Sequence, residues 1–223
     1  MKQVADKILQ YHRTLDPLGV ELVAVSKFHP AEMIRSAYDA GQRIFGESRV
    51  QELLAKIPLL PSDIKWHFIG HLQTNKIRQI IGKTSLIESV DSERLLNLID
   101  SESLRAGVVT RVLLQIHVAQ EETKSGFSPE EFIDFFTNRR FENLKATHIC
   151  GVMGMASNTD DTDRVAADFN AIATLRRRAL EAAPDLRGFD TVSMGMSGDF
   201  PLAIKNGATL VRIGTDIFGE REY

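Results

Sequence analysis

The chain has 223 residues, 43% of them hydrophobic and 26% charged, and its 27 lysines and arginines against 30 aspartates and glutamates leave a net charge of −3. That length suits one large domain or two small ones, and the near balance of charge argues against bulk attraction to nucleic acid or an anionic membrane surface. The single cysteine, Cys150, excludes an internal disulfide and fits a reducing compartment. No apolar run reaches membrane-spanning length, so a cytoplasmic protein is expected.

Residues 2–15 read as a leading helix. The first strand follows at residues 21–26, on the apolar, β-branched run Val20-Glu21-Leu22-Val23-Ala24-Val25 and the Ser26 after it. Lys27 stands where that strand gives way to a βα loop, and Pro30 pre-sets a helix over residues 30–40 that stops at Gly41. Further strands are expected at residues 43–46, 66–70, 86–90, 111–118, 148–153, 191–194 and 209–213. Several are continuous Val/Ile/Leu/Phe runs, the pattern of strands covered on both faces. Between them, Thr74-Asn75-Lys76-Ile77 opens a short helix that ends before Gly82. Residues 92–106 form a helix with the apolar face Leu95, Leu96, Ile99 and Leu104, closing at Gly107. Ser128-Pro129-Glu130-Glu131 carries an N-cap, a first-turn proline and a capping-box glutamate. A long helix spans residues 161–183, and a shorter one residues 200–206.

Eight βα units in succession imply a single (β/α)8 TIM barrel with an extra N-terminal helix, one domain over residues 1–223. An open doubly wound sheet is the alternative, but the first strand ends in Ser26-Lys27-Phe28-His29 where that fold carries a Gly-x-Gly-x-x-Gly turn. In a barrel the active face is built by the loops after the strand C-termini, and loops seven and eight form the usual phosphate site. Here loop seven is Ser193-Met194-Gly195-Met196-Ser197-Gly198-Asp199, running into a helix, and loop eight contains Gly214-Thr215 after Arg212. Glycines let backbone N–H groups approach an anion, serine and threonine add hydroxyl donors, and Arg212 adds a fixed charge. A lysine at the same mouth, able to attack a carbonyl as a free amine, points to two ligand classes. One is pyridoxal phosphate, a phosphorylated aldehyde; the other is a sugar phosphate bound by an aldolase-type lysine.

The ordered motifs Ala24-Val25-Ser26-Lys27-x-x-Pro30, Phe45-Gly46-Glu47, Trp66-His67-Phe68-Ile69-Gly70-x-Leu72-Gln73-x-Asn75-Lys76, Ser193-Met194-Gly195-Met196-Ser197-x-Asp199 and Val211-Arg212-Ile213-Gly214-x-x-Ile217-Phe218-Gly219 resemble the pyridoxal phosphate homeostasis protein family. The resemblance spans nearly the whole chain. It implies an alanine-racemase-like barrel (the type III pyridoxal phosphate fold) without the C-terminal β domain, and a protein that holds pyridoxal 5′-phosphate as a Schiff base on Lys27 and buffers or delivers it. Ser193, Ser197, Gly214 and Thr215 would hold the phosphate, and Arg212 would touch the cofactor at its ring nitrogen or its phosphate. The chain departs from the family's usual Phe-Gly-Glu-Asn by carrying Ser48, which is shorter and has one donor in place of two. Lys124 is a further position that the resemblance brings toward the site. The partners implied are the small molecule itself and, transiently, apo-enzymes that use it, with the protein a monomer.

A racemase on this barrel needs a second base besides the lysine, and the related racemases take it, a tyrosine, from a further domain of a partner subunit. The tyrosines here are Tyr11, Tyr38 and Tyr223, the first two on helices away from the strand ends. If Arg212 faces the ring nitrogen, that nitrogen stays unprotonated and the ring is a weaker electron sink. A carrier is therefore expected, with no catalytic residue assigned; a weak racemase is the alternative. His67 and His71 flank the third strand end and read more readily as structural than as ligand-binding. Met153, Met155, Met194 and Met196 read as packing. No cluster has metal-ligand spacing, so no metal is expected.

Overall fold

The computed structural model of the protein describes residues 2–119 and 125–220. Its first helix, α1 (Lys2–Leu15), buries Val4, Ile8, Tyr11 and Leu15. These residues recur every three or four positions, so they form one stripe against the barrel wall. Eight strands then follow, β1 (Glu21–Val25), β2 (Ile44–Glu47), β3 (Lys65–Phe68), β4 (Leu86–Val90), β5 (Thr110–Ile116), β6 (Thr147–Gly154), β7 (Thr191–Ser193) and β8 (Leu210–Ile213). Each pairs in parallel with the next, and β8 returns to β1 in the register Glu21↔Leu210 through Ala24↔Ile213, closing the barrel. The expected eight-stranded TIM barrel is what the chain forms.

The helices that follow the strands are α2 (Ala31–Asp39), α3 (Val50–Lys56), α4 (Ile77–Ile80), α5 (Glu93–Ala106), α6 (Pro129–Thr137), α7 (Thr162–Ala182), α8 (Phe200–Lys205) and α9 (Thr215–Phe218). Their ends follow local chemistry. The Ser92 hydroxyl accepts the Leu95 amide at the start of α5, and Gly107 ends that helix in the left-handed conformation. Ser128 and Glu131 complete the capping box of α6. Pro30 precedes α2 as its N-cap residue, one position earlier than the first-turn place the sequence suggested. Helix α3 has no counterpart among the sequence-based expectations, and β3 lies slightly earlier than residues 66–70.

The apolar core has two parts. The larger joins the outward strand faces to the helices and includes Phe45, Phe68, Phe132, Phe136, Phe169 and Val211. The smaller lies inside the barrel, where Val23, Val25 and Leu210 form one cluster and Leu86, Leu113, Cys150 and Met153 another. Cys150 is thus a buried packing residue. Side chains alternate across a strand, so Arg212 shares the inward face of Leu210, and Glu88 that of Leu86. Among the described residues, no helix is long and apolar enough to cross a membrane.

Candidate functional site

Lys27 sits in a tight turn directly after β1. The His29 amide donates to the Ser26 carbonyl at 3.1 Å, closing a four-residue turn with Lys27 and Phe28 at its centre. Phe28 has φ of 69°, while Lys27 keeps a negative φ, the sign pattern of a type II turn. That position ordinarily takes glycine, and for a bulky side chain the left-handed conformation costs about 1–2 kcal/mol. Strain of this kind persists only where the surroundings over-determine it, and it gathers at functional sites. Lys27 itself is half-buried.

Loop eight packs against this turn's base. A Cβ added to Gly214 would lie 3.3 Å from the Val25 carbonyl oxygen, so glycine is what allows the β8–α9 loop to abut the end of β1, two residues before Lys27. From the other side His29 stacks on Phe218 of α9, with centroids 5.3 Å apart. Loop seven depends on Gly195, whose φ is 94° and whose added Cβ would meet the Ala203 Cβ at 2.6 Å. The Asp199 carboxylate accepts the Met196 amide at 2.6 Å and orders that loop. Among the described residues, the backbone amides of Ser197, Gly198 and Gly214 and the hydroxyls of Ser197 and Thr215 engage no partner. Two adjacent loops therefore present open donors beside the Lys27 turn, a donor set that fits a phosphate.

Below them a polar chain crosses the barrel interior. His67 Nδ1 meets Glu88 Oε1 at 2.7 Å, and the Ser193 hydroxyl donates to Glu88 Oε2 at 2.6 Å. Arg212 Nη1 donates to the Ser193 oxygen at 2.5 Å, and Nη2 to the Gly154 carbonyl at 3.0 Å. Burial alone would raise the Glu88 carboxyl, but the His67, Arg212 and Ser193 contacts outweigh it and hold it below its ordinary value. Burial pulls the Arg212 guanidinium down, against the opposing pull of Glu88 and Asp199. Of the Arg212 nitrogens, Nε alone has no hydrogen-bond partner among the described residues.

The structure thus brings Lys27, Ser197, Gly214 and Thr215 to one rim, and sets Ser193 and Arg212 within the barrel. The Ser193 hydroxyl is already shared between Arg212 and Glu88. His67 is a satisfied interior histidine, whereas His71 is exposed and lies 3.3 Å from Asp91. Lys76 and Ser48 line a cleft of about 280 Å³, and a neighbouring cleft of about 490 Å³ shares His71 and Gln73 with it. Another cleft, of about 390 Å³, opens between Gly19 and Lys65 at the opposite end of the barrel, and none of the expected site residues line it. Met153 and Met194 are buried in the cores. Lys124 and Tyr223 lie outside the described residues. Among the described residues, no group of three or more His, Cys, Asp and Glu side chains has the arrangement to hold a metal.

Sequence reasoning missed Glu88, although a carboxylate inside the apolar strand Leu86-Ile87-Glu88-Ser89-Val90 is a signal. It also missed a second buried group, Glu47 with Glu52 and Lys56. Lys56 Nζ donates to Glu47 Oε1 at 2.8 Å and to Glu52 Oε1 at 2.6 Å. Burial pushes the Glu47 carboxyl up to about 7, although Lys56 and Ser26 oppose that rise. The second carboxylate oxygen of Glu47 is buried without a hydrogen-bond partner among the described residues.

Tyr11 comes closer to a strand end than its helix suggested. Its hydroxyl donates to Asp216 at 2.8 Å, just beyond Thr215, and burial with that carboxylate raises its ionisation well above the ordinary phenol value. Tyr38 is likewise engaged, with its hydroxyl donating to Asp63 at 2.7 Å.

Comparison with known proteins adds relatives to this geometry. Residues 1–222 match the family of the alanine racemase N-terminal domain. The pyridoxal phosphate homeostasis protein of Aquifex aeolicus is 40% identical over 209 residues, which cover 91% of this chain and 88% of that one. The human protein of the same name is 38% identical, covering all of this chain and 84% of its own. PipY of Synechococcus elongatus, solved with pyridoxal phosphate bound, superimposes with a TM-score of 0.88 at 37% identity, covering 97% of this chain and 100% of that one. The alanine racemase of Streptomyces coelicolor, at 19% identity and a TM-score of 0.77, shares the fold over 58% of its length.

Proposed function

The chain belongs to the pyridoxal phosphate homeostasis protein family, and from that premise we propose that it binds pyridoxal 5′-phosphate and buffers or delivers it. The observation that carries this reading is the meeting of the Lys27 turn with the open donors of loops seven and eight, joined where Gly214 abuts Val25. Bound there, the cofactor supplies a reactive aldehyde and an electron-withdrawing ring. Lys27 supplies the amine that binds the aldehyde reversibly. Ser197, Gly198, Gly214 and Thr215 hold the phosphate through backbone amides and hydroxyls. Arg212, fixed by Ser193 and Gly154, would offer its Nε to the cofactor ring, with Glu88 as the counter-charge that keeps the guanidinium in place. Ser193 works in this arrangement as the link between Arg212 and Glu88.

Carriage is favoured over turnover by two features. With Arg212 at the ring nitrogen, the guanidinium would give up no proton to it, which would weaken the ring as an electron sink. The hydroxyls of Tyr11 and Tyr38 are engaged by aspartates, so neither is poised as a second base. Delivery would run to apo-enzymes that need the cofactor, by transient contact, from a monomeric cytoplasmic protein. Racemisation assays with L-alanine and L-serine test the distinction. The loaded protein is expected to stay at the rate of free pyridoxal phosphate. Turnover well above that control, abolished in Lys27→Ala, would replace the carrier with a racemase.

A further inference from the structure

We propose that helix α3 and the residue before it act as a clamp on the Lys27 turn, with Glu52 and Lys56 as positioning residues for the Lys27 amine. The inference rests on the reading of Lys27 as the covalent anchor. It starts from three contacts to the two residues flanking Lys27. The Phe28 amide donates to Glu52 Oε1 at 2.5 Å. The Ser26 carbonyl accepts from Lys56 Nζ at 2.9 Å. The Ser26 hydroxyl donates to Glu47 Oε1 at 2.5 Å. Arg49, at the N-cap of α3, adds a fourth contact with its guanidinium 4.6 Å above the Phe28 ring.

Lys56 ties these contacts into one unit. It lies one helical turn after Glu52, bonds both carboxylates, and its side chain is 8% exposed while that of Glu47 is fully buried. Burying ionisable groups brings no necessary gain in stability, because apolar residues of similar volume pack as well or better. What Glu47, Glu52 and Lys56 supply is direction. Its acceptors and donors meet the backbone on both sides of Lys27, and the residue beyond Lys27 is held at a φ that phenylalanine otherwise avoids. With Ser26 and Phe28 both fixed, the Cα–Cβ bond of Lys27 leaves the turn in one direction. A nucleophile held in one orientation reacts faster than one that must find it.

The test uses the full chain and three variants, Glu52→Ala, Glu52→Gln and Lys56→Met, each first checked for folding by its melting temperature. In the absence of ligand, hydrogen exchange at the Phe28 amide is expected to quicken in Glu52→Ala and to stay near the parent value in Glu52→Gln, which keeps an oxygen acceptor. With pyridoxal phosphate added, the amine nitrogen bonds the aldehyde carbon and one water leaves, giving a visible band whose rate of appearance is measured. That rate is expected to fall about tenfold or more in Glu52→Ala and Lys56→Met and to recover in Glu52→Gln. Folded Glu52→Ala with parental exchange and a parental rate overturns the clamp. A parent protein that forms no lysine-bound band overturns the pyridoxal phosphate reading instead, while the exchange measurement still decides whether the turn is clamped.

Discussion

At the scale of single residues, the site is governed by groups held where they would not rest alone. Phe28 is one. At φ of 69° glycine has no steric penalty, so the usual order of alanine and glycine should invert there. Urea unfolding is expected to find Phe28→Gly more stable than Phe28→Ala by about 1 kcal/mol. An alanine variant as stable as the glycine variant would contradict the strained turn. Arg212 is the other. It faces the fully buried Glu88 and is pinned by Ser193, so Arg212→Met leaves a carboxylate inside the barrel without its cation. The expected loss is about 3–5 kcal/mol in urea unfolding, partly recovered in the double variant Arg212→Met/Glu88→Gln. A loss under about 1 kcal/mol would mean that His67 alone satisfies Glu88.

At the scale of elements, chain-local chemistry determined most of what the sequence revealed. The eight strands were legible because buried parallel strands are continuous apolar runs, and α5 and α6 because Ser92, Gly107 and the Ser128–Glu131 box mark their ends. Ser128→Ala should therefore lower stability by about 0.5–2 kcal/mol in thermal or urea unfolding, with no effect on the Lys27 turn. Helix α3 escaped notice for the opposite reason. It is seven residues long, its N-cap Arg49 makes no side-chain capping bond, and it runs directly into a 3-10 turn at Ile57–Leu59. The candidate site divides in the same way. Lys27, Gly195 and Gly214 were visible because their meaning lies in one loop each. Glu88 and Glu47 acquire theirs from hydrogen-bond partners 9 to 105 residues away, and Lys56 joins its neighbour Glu52 to Glu47 and Ser26, 9 and 30 residues away, which no local pattern reports.

At the scale of the whole molecule, two sets of carboxylates set opposing pH responses. Asp216, held by Lys7 and Tyr11, titrates below its ordinary value of 3.8; its contribution is present above that value and lost as pH falls through the lowered one. Glu47 behaves in the reverse sense. Its folded value of about 7 lies above the ordinary 4.5, so the native state holds a proton that the unfolded chain has released between those values. Stability from this group therefore falls as pH rises from 4.5 to 7. Melting temperatures across that window should show a downward contribution in the parent that is flattened in Glu47→Gln. Identical slopes for the two proteins would remove Glu47 as its source.

The barrel closes β8 on β1 and so sets the phosphate-type loops beside the turn that carries Lys27. The most direct test of this arrangement is the absorption spectrum of the purified protein with pyridoxal phosphate, recorded for the parent and for Lys27→Ala and followed by borohydride reduction and peptide mapping. The account predicts a visible band in the parent that reduction fixes to Lys27, and no such band in the variant. A parent without the band, or a chromophore fixed to another lysine, would contradict it.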